Sequence, residues 1–274
     1  MTLLPWPPKA SEIKEILTPI DERLLNCSED FIRLQVKKPI ENMITQKVKY
    51  AIDSPQSTWF NIYSIFNANQ QLNEACNKLW ATAELTNVTS RRVFNKNYEP
   101  IGKEFIGSFI LGTTLPTLYY SQLSTIVSVL SAFGCVPVMV NSKRYYLLRS
   151  KDGWTIQPRN EYMSKNLGVN ADSWHDVILR TYKSLKSKGI RMPDMNIERT
   201  FKLKSIRNEM HYEVLGDLKM WRAYDNRNTY FRFSSLVFKS IELAIKNLAY
   251  IKKVTTNCDT RFANLNENFK RLNG

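Results

Sequence analysis

Apolar residues recur at helical spacing along most of this chain. Ser11 is placed as an N-cap, with Ile13, Ile16, Leu17, Ile20 and Leu24 on one face beyond it. A second helix is expected from about Ser28, broken at Pro39 and continuing toward Ile52. The third opens at Ser57 and carries Trp59, Ile62, Tyr63, Phe66, Leu72, Cys76, Leu79, Trp80 and Ala83, a stripe long enough for about seven turns. From 90 to 103 the pattern lapses into a basic, Asn-rich loop with Arg91, Arg92, Lys96 and Lys103, a candidate linker or nucleic-acid-facing segment.

Residues 105–142 contain no charge. That exceeds the roughly 20 residues a bilayer span requires, so a membrane helix has to be weighed. Gly107, Gly112 and Pro116 break the first part, and Ser121, Gln122, Ser124, Thr125, Ser128 and Ser131 punctuate the second into an amphipathic pattern. The expectation is therefore a helix over 117–133 at the centre of a bundle, and no membrane partner. The run 136–140, then Arg144 to Arg149, Asp152-Gly153 and Trp154 to Ile156 reads as strands joined by turns. Its basic residues Lys143, Arg144, Arg149 and Lys151 would widen a binding surface.

Asp172 or Ser173 starts the next helix, with Trp174, Val177, Ile178, Tyr182 and Leu185 inward, Lys183, Lys186 and Lys188 outward, and Gly189 at its end. His175 reads as a surface or partly packed residue. After a loop with Pro193 comes a helix containing Arg207-Asn208-Glu209-Met210-His211-Tyr212. Helical residues four apart lie on neighbouring positions of one face, so Arg207 and His211 project together, beside an apolar stripe of Ile206, Met210 and Val214 that leaves the pair at its rim.

Those two side chains are equipment for RNA cleavage without a metal. Histidine titrates near neutral pH, and the arginine fork matches phosphate geometry. A base removes the 2′-hydroxyl proton, the adjacent phosphorus is attacked, and a cation stabilises the developing charge. A site of two residues is sparse, and a symmetric dimer that apposes two copies would complete it. The competing reading is a solvated or salt-bridged helix face.

The stretch from Leu203 to Tyr212 resembles the signature of HEPN domains, helical bundles in which an Arg, usually followed by a polar residue, precedes a His by a few positions. The resemblance implies a metal-independent endoribonuclease of a defence or toxin–antitoxin system, with no cofactor. Carried over by position, Arg207 is the motif arginine, Asn208 the polar second residue and His211 the histidine. The apolar segment with Val237, Ile241, Ala244, Ile245, Leu248 and Ile251 suits the family's last bundle helix. The family places four to six residues between Arg and His. Here three intervene, and Tyr212 stands at the four-residue spacing.

Composition narrows the partners. Lys plus Arg exceed Asp plus Glu by 39 − 25 = 14, and 43% of residues are hydrophobic, so a sizeable core and anionic partners such as RNA are both expected. Lys202 and Lys204 add charge beside the motif, and the segment Trp221 to Arg232, with Arg222, Tyr224 and Arg227, interleaves rings with cations as single-strand binders do. That segment also reads as a turn whose rings cover the bundle end.

Nine glycines and eleven prolines are too few for a turn-rich all-β protein. Four cysteines without short spacing and two histidines form no zinc constellation, and reduced thiols are expected. The start, Met1 to Lys9, lacks the basic and apolar regions of a signal peptide and reads as an extended proline-rich arm, either anchored by Trp6 or a loosely held tail.

The sequence thus predicts a mainly α helical bundle, HEPN-like, with a small inserted β hairpin: an N-terminal arm and helices over 1–56, then the bundle over 57–274 with its insertion near 136–157. The expected protein is a cytoplasmic homodimer, or the partner of an antitoxin or effector complex. The other reading is a catalytically silent nucleic-acid-binding or assembly module of a defence complex.

Overall fold

The computed structural model describes residues 27–93, 103–168, 173–187 and 197–212. It is mainly α, with one small antiparallel sheet. In chain order the elements are α1 (Glu29–Thr45), β1 (Tyr50–Ala51), α2 (Pro55–Val93), α3 (Lys103–Ala132), β2 (Cys135–Val140), β3 (Lys143–Ser150), β4 (Gly153–Pro158), α4 (Arg159–Tyr162) with a π-helical continuation (Met163–Leu167), α5 (Trp174–Ser187) and α6 (Ile197–Tyr212). The described residues fall into two compact units, the first holding 27–72, 125–168 and 173–187, the second 73–93, 103–124 and 197–212. The expected arm and helix of 1–26, the loop residues 94–102 and everything after 212 lie outside the described residues.

In the first unit, Ser28 caps α1 by accepting the Phe31 N–H at 3.3 Å, with Glu29 and Asp30 in the positive first turn. The expected break at Pro39 does not occur. One missing donor is outweighed by the buried stripe Val36, Ile40 and Met43 on either side of it. Nor does the helix reach Ile52: it ends at Thr45, and Tyr50–Ala51 become an edge strand.

The expected hairpin is part of a larger sheet, ordered β1-β4-β3-β2. Asn141 and Ser142 close β2 onto β3 at φ +48° and +61°, the positive pair that a two-residue turn matching strand twist requires. The next turn is Lys151-Asp152, with Ser150 pairing Gly153 and the Ser150 hydroxyl accepting the Asp152 N–H at 3.3 Å. β1 adds to β4 through Tyr50–Trp154 and Ala51–Gly153, a contact that only glycine allows. A Cβ on Gly153 would lie 1.9 Å from the Tyr50 carbonyl oxygen.

One sheet face, with Val136, Val138, Leu147 and Trp154, packs with Val36, Ile40, Met43 and Phe60 into one apolar core. Phe60 joins it through rings 5.7 Å from both Tyr50 and Trp154. On the other face Tyr146 stacks on Tyr162 at 4.3 Å and on Trp174 at 5.0 Å. Each such side chain contributes roughly 1.5–3 kcal/mol through burial. Tyr146 is fully buried, and its hydroxyl has no hydrogen-bond partner. Tyr146→Phe is therefore expected to leave stability unchanged or raise it by about 1 kcal/mol, because it removes a desolvated polar group without opening a cavity. Urea denaturation checks this; a clear loss of stability would mean that the hydroxyl is satisfied.

Arg149 corrects the picture of a basic sheet surface. It is 6% exposed, and burial lowers its pKa to about 10. Its alternation places it on the core side of β3, and Gly134, at φ +75°, leaves room for its Cβ, which a Cβ at that glycine would meet at 2.6 Å.

The helix that carries the uncharged run, α3, is also a correction. Gly107, Gly112 and Pro116 do not break it; it runs from Lys103 to Ala132. Its serines form no solvent face either: Ser121, Gln122, Ser124, Thr125, Ser128 and Ser131 are all buried. Small hydroxyls let helices approach and then satisfy themselves on the neighbour's backbone. Within the first unit Ser128 donates to the Ala68 carbonyl at 2.5 Å, Asn67 donates to the Ser131 hydroxyl at 2.7 Å, and Ser64 donates to the Ser131 carbonyl. Among the described residues, no helix is long and apolar enough to cross a membrane.

α5 follows expectation. Ser173 accepts the Asp176 N–H at 3.2 Å and donates to the Asp176 carboxylate at 2.7 Å, and Val177, Ile178, Tyr182 and Leu185 are buried while Lys183 and Lys186 are exposed. Trp174 and His175 are half-buried.

The second unit contains the remainder of α2, α3 up to Ser124, and α6. Ala75, Cys76, Leu79, Leu115, Leu118, Tyr119, Ile197 and Leu203 are buried there. Ser121 donates to the Ala75 carbonyl at 3.0 Å, and Thr200 donates to the Gln122 side-chain oxygen at 2.9 Å. α2 is longer than the seven turns expected, and it takes Arg91 and Arg92 out of the predicted loop into helix.

Candidate functional site

Strong helix formers (Lys, Leu, Arg, Glu and Met) predominate in α6, and Glu198 complements the partial positive charge of its first turn. Its buried row is Ile197, Thr200, Leu203 and Arg207, three to four residues apart. Arg207 is thus not at the rim of the buried face, as the spacing suggested. It is the polar end of that face, 8% exposed.

What allows an arginine there is α3. Arg207 Nη1 donates to the Tyr120 hydroxyl at 2.7 Å, and Nη2 donates to the side-chain oxygen of Asn208. The guanidinium carbon stands 5.4 Å from the Tyr119 ring centre and 5.6 Å from that of Tyr120, and the two rings meet edge to face at 5.3 Å. A cation largely withdrawn from water gains about 1–2 kcal/mol over aromatic faces from the ring quadrupoles. Lys78 brings a second cation to the Tyr120 ring at 5.7 Å and is itself paired with Glu74. The result is an arginine fixed in direction by two hydrogen-bond acceptors and two rings, with half-buried Asn208 and Tyr120 at its margin.

Of the residues singled out from the sequence, Arg207 and Asn208 are brought together in this way. α6 extends through His211, placing its Cα one turn beyond Arg207 on the same side of the helix; its side chain lies outside the described atoms. Lys204, three positions before Arg207, shares that side and is half-buried, whereas Lys202 is exposed on another. Arg91 and Arg92 belong to α2, with side chains outside the described atoms, and Arg222, Tyr224 and Arg227 lie outside the described residues.

Tyr119 and Tyr120 are what sequence reasoning missed. Two adjacent tyrosines inside the uncharged run 105–142 were a signal for a cation supplied from elsewhere, but nothing local says which one.

Among the described residues no group of three or more His, Cys, Asp and Glu could hold a metal ion. Burial pushes the thiols of Cys76 and Cys135 up to about 12, which removes the thiolate a nucleophile requires; at Cys135 a contact with the Tyr162 hydroxyl opposes the rise without cancelling it. The chain matches no known protein family, no characterised protein and no solved structure.

Proposed function

We propose that this chain is a metal-independent endoribonuclease of HEPN type, acting in the cytoplasm in defence or growth control, as a homodimer or with an antitoxin or effector partner. The observation that carries the reading is a single helix, α6, that holds Arg207 and His211 one turn apart, with the arginine fork already oriented by Tyr120 and Asn208. In the reaction, His211 takes the proton of a 2′-hydroxyl, the freed oxygen attacks the adjacent phosphorus, the P–O5′ bond breaks to leave a 2′,3′-cyclic phosphate while the departing 5′-oxygen takes a proton from water, and Arg207 stabilises the charge on the phosphate oxygens. Asn208 keeps the guanidinium aligned. Orientation before the substrate arrives removes a reorganisation cost that would otherwise fall on the transition state.

A second reading is favoured by one specific observation. Arg207 is buried, and its hydrogen bonds and ring contacts are those of a packing element. With the shortened Arg-to-His spacing, this supports a catalytically silent nucleic-acid-binding or assembly module.

Incubation of the purified chain and its His211→Ala variant with total RNA in EDTA separates the two. The nuclease reading expects cleavage that leaves 2′,3′-cyclic phosphate ends and falls by at least about a hundredfold in the variant, the ordinary contribution of a general base. Cleavage unaffected by the substitution removes this site, and RNA that is bound but left intact by both proteins makes the silent module the function.

A further inference from the structure

A second place where a cation and rings meet lies in the first unit, at the open end of the sheet. Arg144 is exposed on β3, and its guanidinium carbon stands 5.2 Å from the ring centre of Trp174. Behind it the rings continue inward: Trp174 on Tyr146 at 5.0 Å and 29°, then Tyr146 on Tyr162 at 4.3 Å and 26°. The series therefore runs from a fully buried tyrosine to an exposed guanidinium.

Three further features mark that outer end. Met139 pairs with Arg144 across the β2–β3 ladder, so the two share a sheet face, and Met139 is 71% exposed, the most exposed large apolar side chain among the described residues. Lys143, Asn141 and Ser142 are exposed at the adjoining turn, whose two positive φ angles hold it in one shape. Burial raises the Tyr146 hydroxyl pKa well above its usual value and Cys135 adds to the rise, while Arg159 and Arg144 oppose it, so two guanidinium groups act on this ring. Of the acids near these elements, Asp176 is held by Ser173 and Glu161 pairs with Lys165 at 2.6 Å, while Asp152 belongs to the turn at the other end of β3.

We propose that the Arg144–Trp174 stack with Met139 at its edge is a platform for an unpaired base of single-stranded RNA. Planar guanidinium and aromatic surfaces stack on any base, an exposed thioether covers its edge, and neighbouring cations neutralise the backbone. A duplex does not fit this chemistry, because its bases are stacked on one another and unavailable. A lipid surface would require a broader apolar area than one methionine on this face provides. The inference rests on the ribonuclease reading only for the identity of the strand and adds to it where that strand is held.

The test is fluorescence anisotropy with a fluorescein-labelled single-stranded oligoadenylate, using the full chain carrying His211→Ala so that the strand stays intact. Adding Arg144→Ala is expected to weaken binding about tenfold, the loss of one stacked base. Adding Arg144→Lys instead, which keeps the charge and removes the plane, is expected to weaken it nearly as much, and an abasic strand of equal length to bind about tenfold more weakly than the oligoadenylate. Arg144 is exposed, so neither change should alter the circular dichroism spectrum. Full affinity in Arg144→Lys, equal binding of the abasic strand, preference for the duplex, or binding to anionic vesicles or an acidic peptide instead would each overturn the proposal. Arg144-dependent binding by a chain that never cleaves RNA would sink the nuclease reading and leave the platform standing.

Discussion

Replacing Arg207 with alanine is expected to destabilise the protein by about 3 kcal/mol, an unusual cost for a residue whose first reading is functional. A hydrogen bond to a charged group is worth about 1.5–3 kcal/mol, and the ring contacts add about 1 kcal/mol or more. Truncation removes both along with the packing of a buried stem, and it leaves the Tyr120 hydroxyl without this donor. Urea denaturation gives the value directly, and a loss below about 0.5 kcal/mol would show that the guanidinium is not held as described. Tyr120→Phe should recover part of the effect in a double-mutant cycle, with a coupling of about 1–2 kcal/mol, since the two residues share one interaction. The consequence for function is practical. Lost cleavage in Arg207→Ala would mix folding with chemistry, so His211→Ala is the variant that judges the reaction and Arg207→Ala the one that judges the architecture.

Gly153→Ala is expected to be about as damaging, at about 3 kcal/mol or more, for a reason that involves no side-chain contact of the native protein. The new Cβ would stand 1.9 Å from the Tyr50 carbonyl oxygen and 2.9 Å from Ala51 backbone atoms, at a φ of +136° that L-residues rarely adopt. The relief available is detachment of β1, which also breaks the Ile52 N–H to Asp152 carbonyl bond of 3.2 Å. Thermal denaturation should fall markedly, and amide exchange at Ile52 should accelerate ahead of exchange in β3. Gly168→Ala is the control: it too has positive φ, +61°, but open space around it, so it should cost only the left-handed preference, about 1 kcal/mol. Equal effects from the two would mean that the close approach of β1 is not what Gly153 serves.

These two positions show what was legible in the chain and what was not. Asp152-Gly153 announces a turn, and the turn is there, yet the glycine serves mainly the neighbour strand. Two residues of β1 are too few to display a period of two, so Tyr50–Ala51 was absorbed into a predicted helix. Pro39 and Pro116 are local breakers, and each lies within an intact helix because the burial around it outweighs a missing bond; Gly107 and Gly112 lie within that second helix too. The serines of α3 alternate with apolar residues as an amphipathic face would, but hydroxyls that reach a neighbouring backbone can be buried as readily as a methyl group.

By itself the sequence determined the features that depend on near neighbours: the caps at Ser28 and Ser173, the inward row of α5, the two tight turns of the sheet, and the helix that carries Arg207 and His211 one turn apart. Only the tertiary structure decided the fate of the charges. Arg149 and Arg144 lie on one strand, the first buried and the second exposed over Trp174, and Arg207 is buried because a tyrosine 87 residues earlier accepts its hydrogen bond. The reason is that periodicity reports which face of an element a residue occupies, whereas the cost of burying a cation depends on donors, acceptors and rings brought to it from distant parts of the chain.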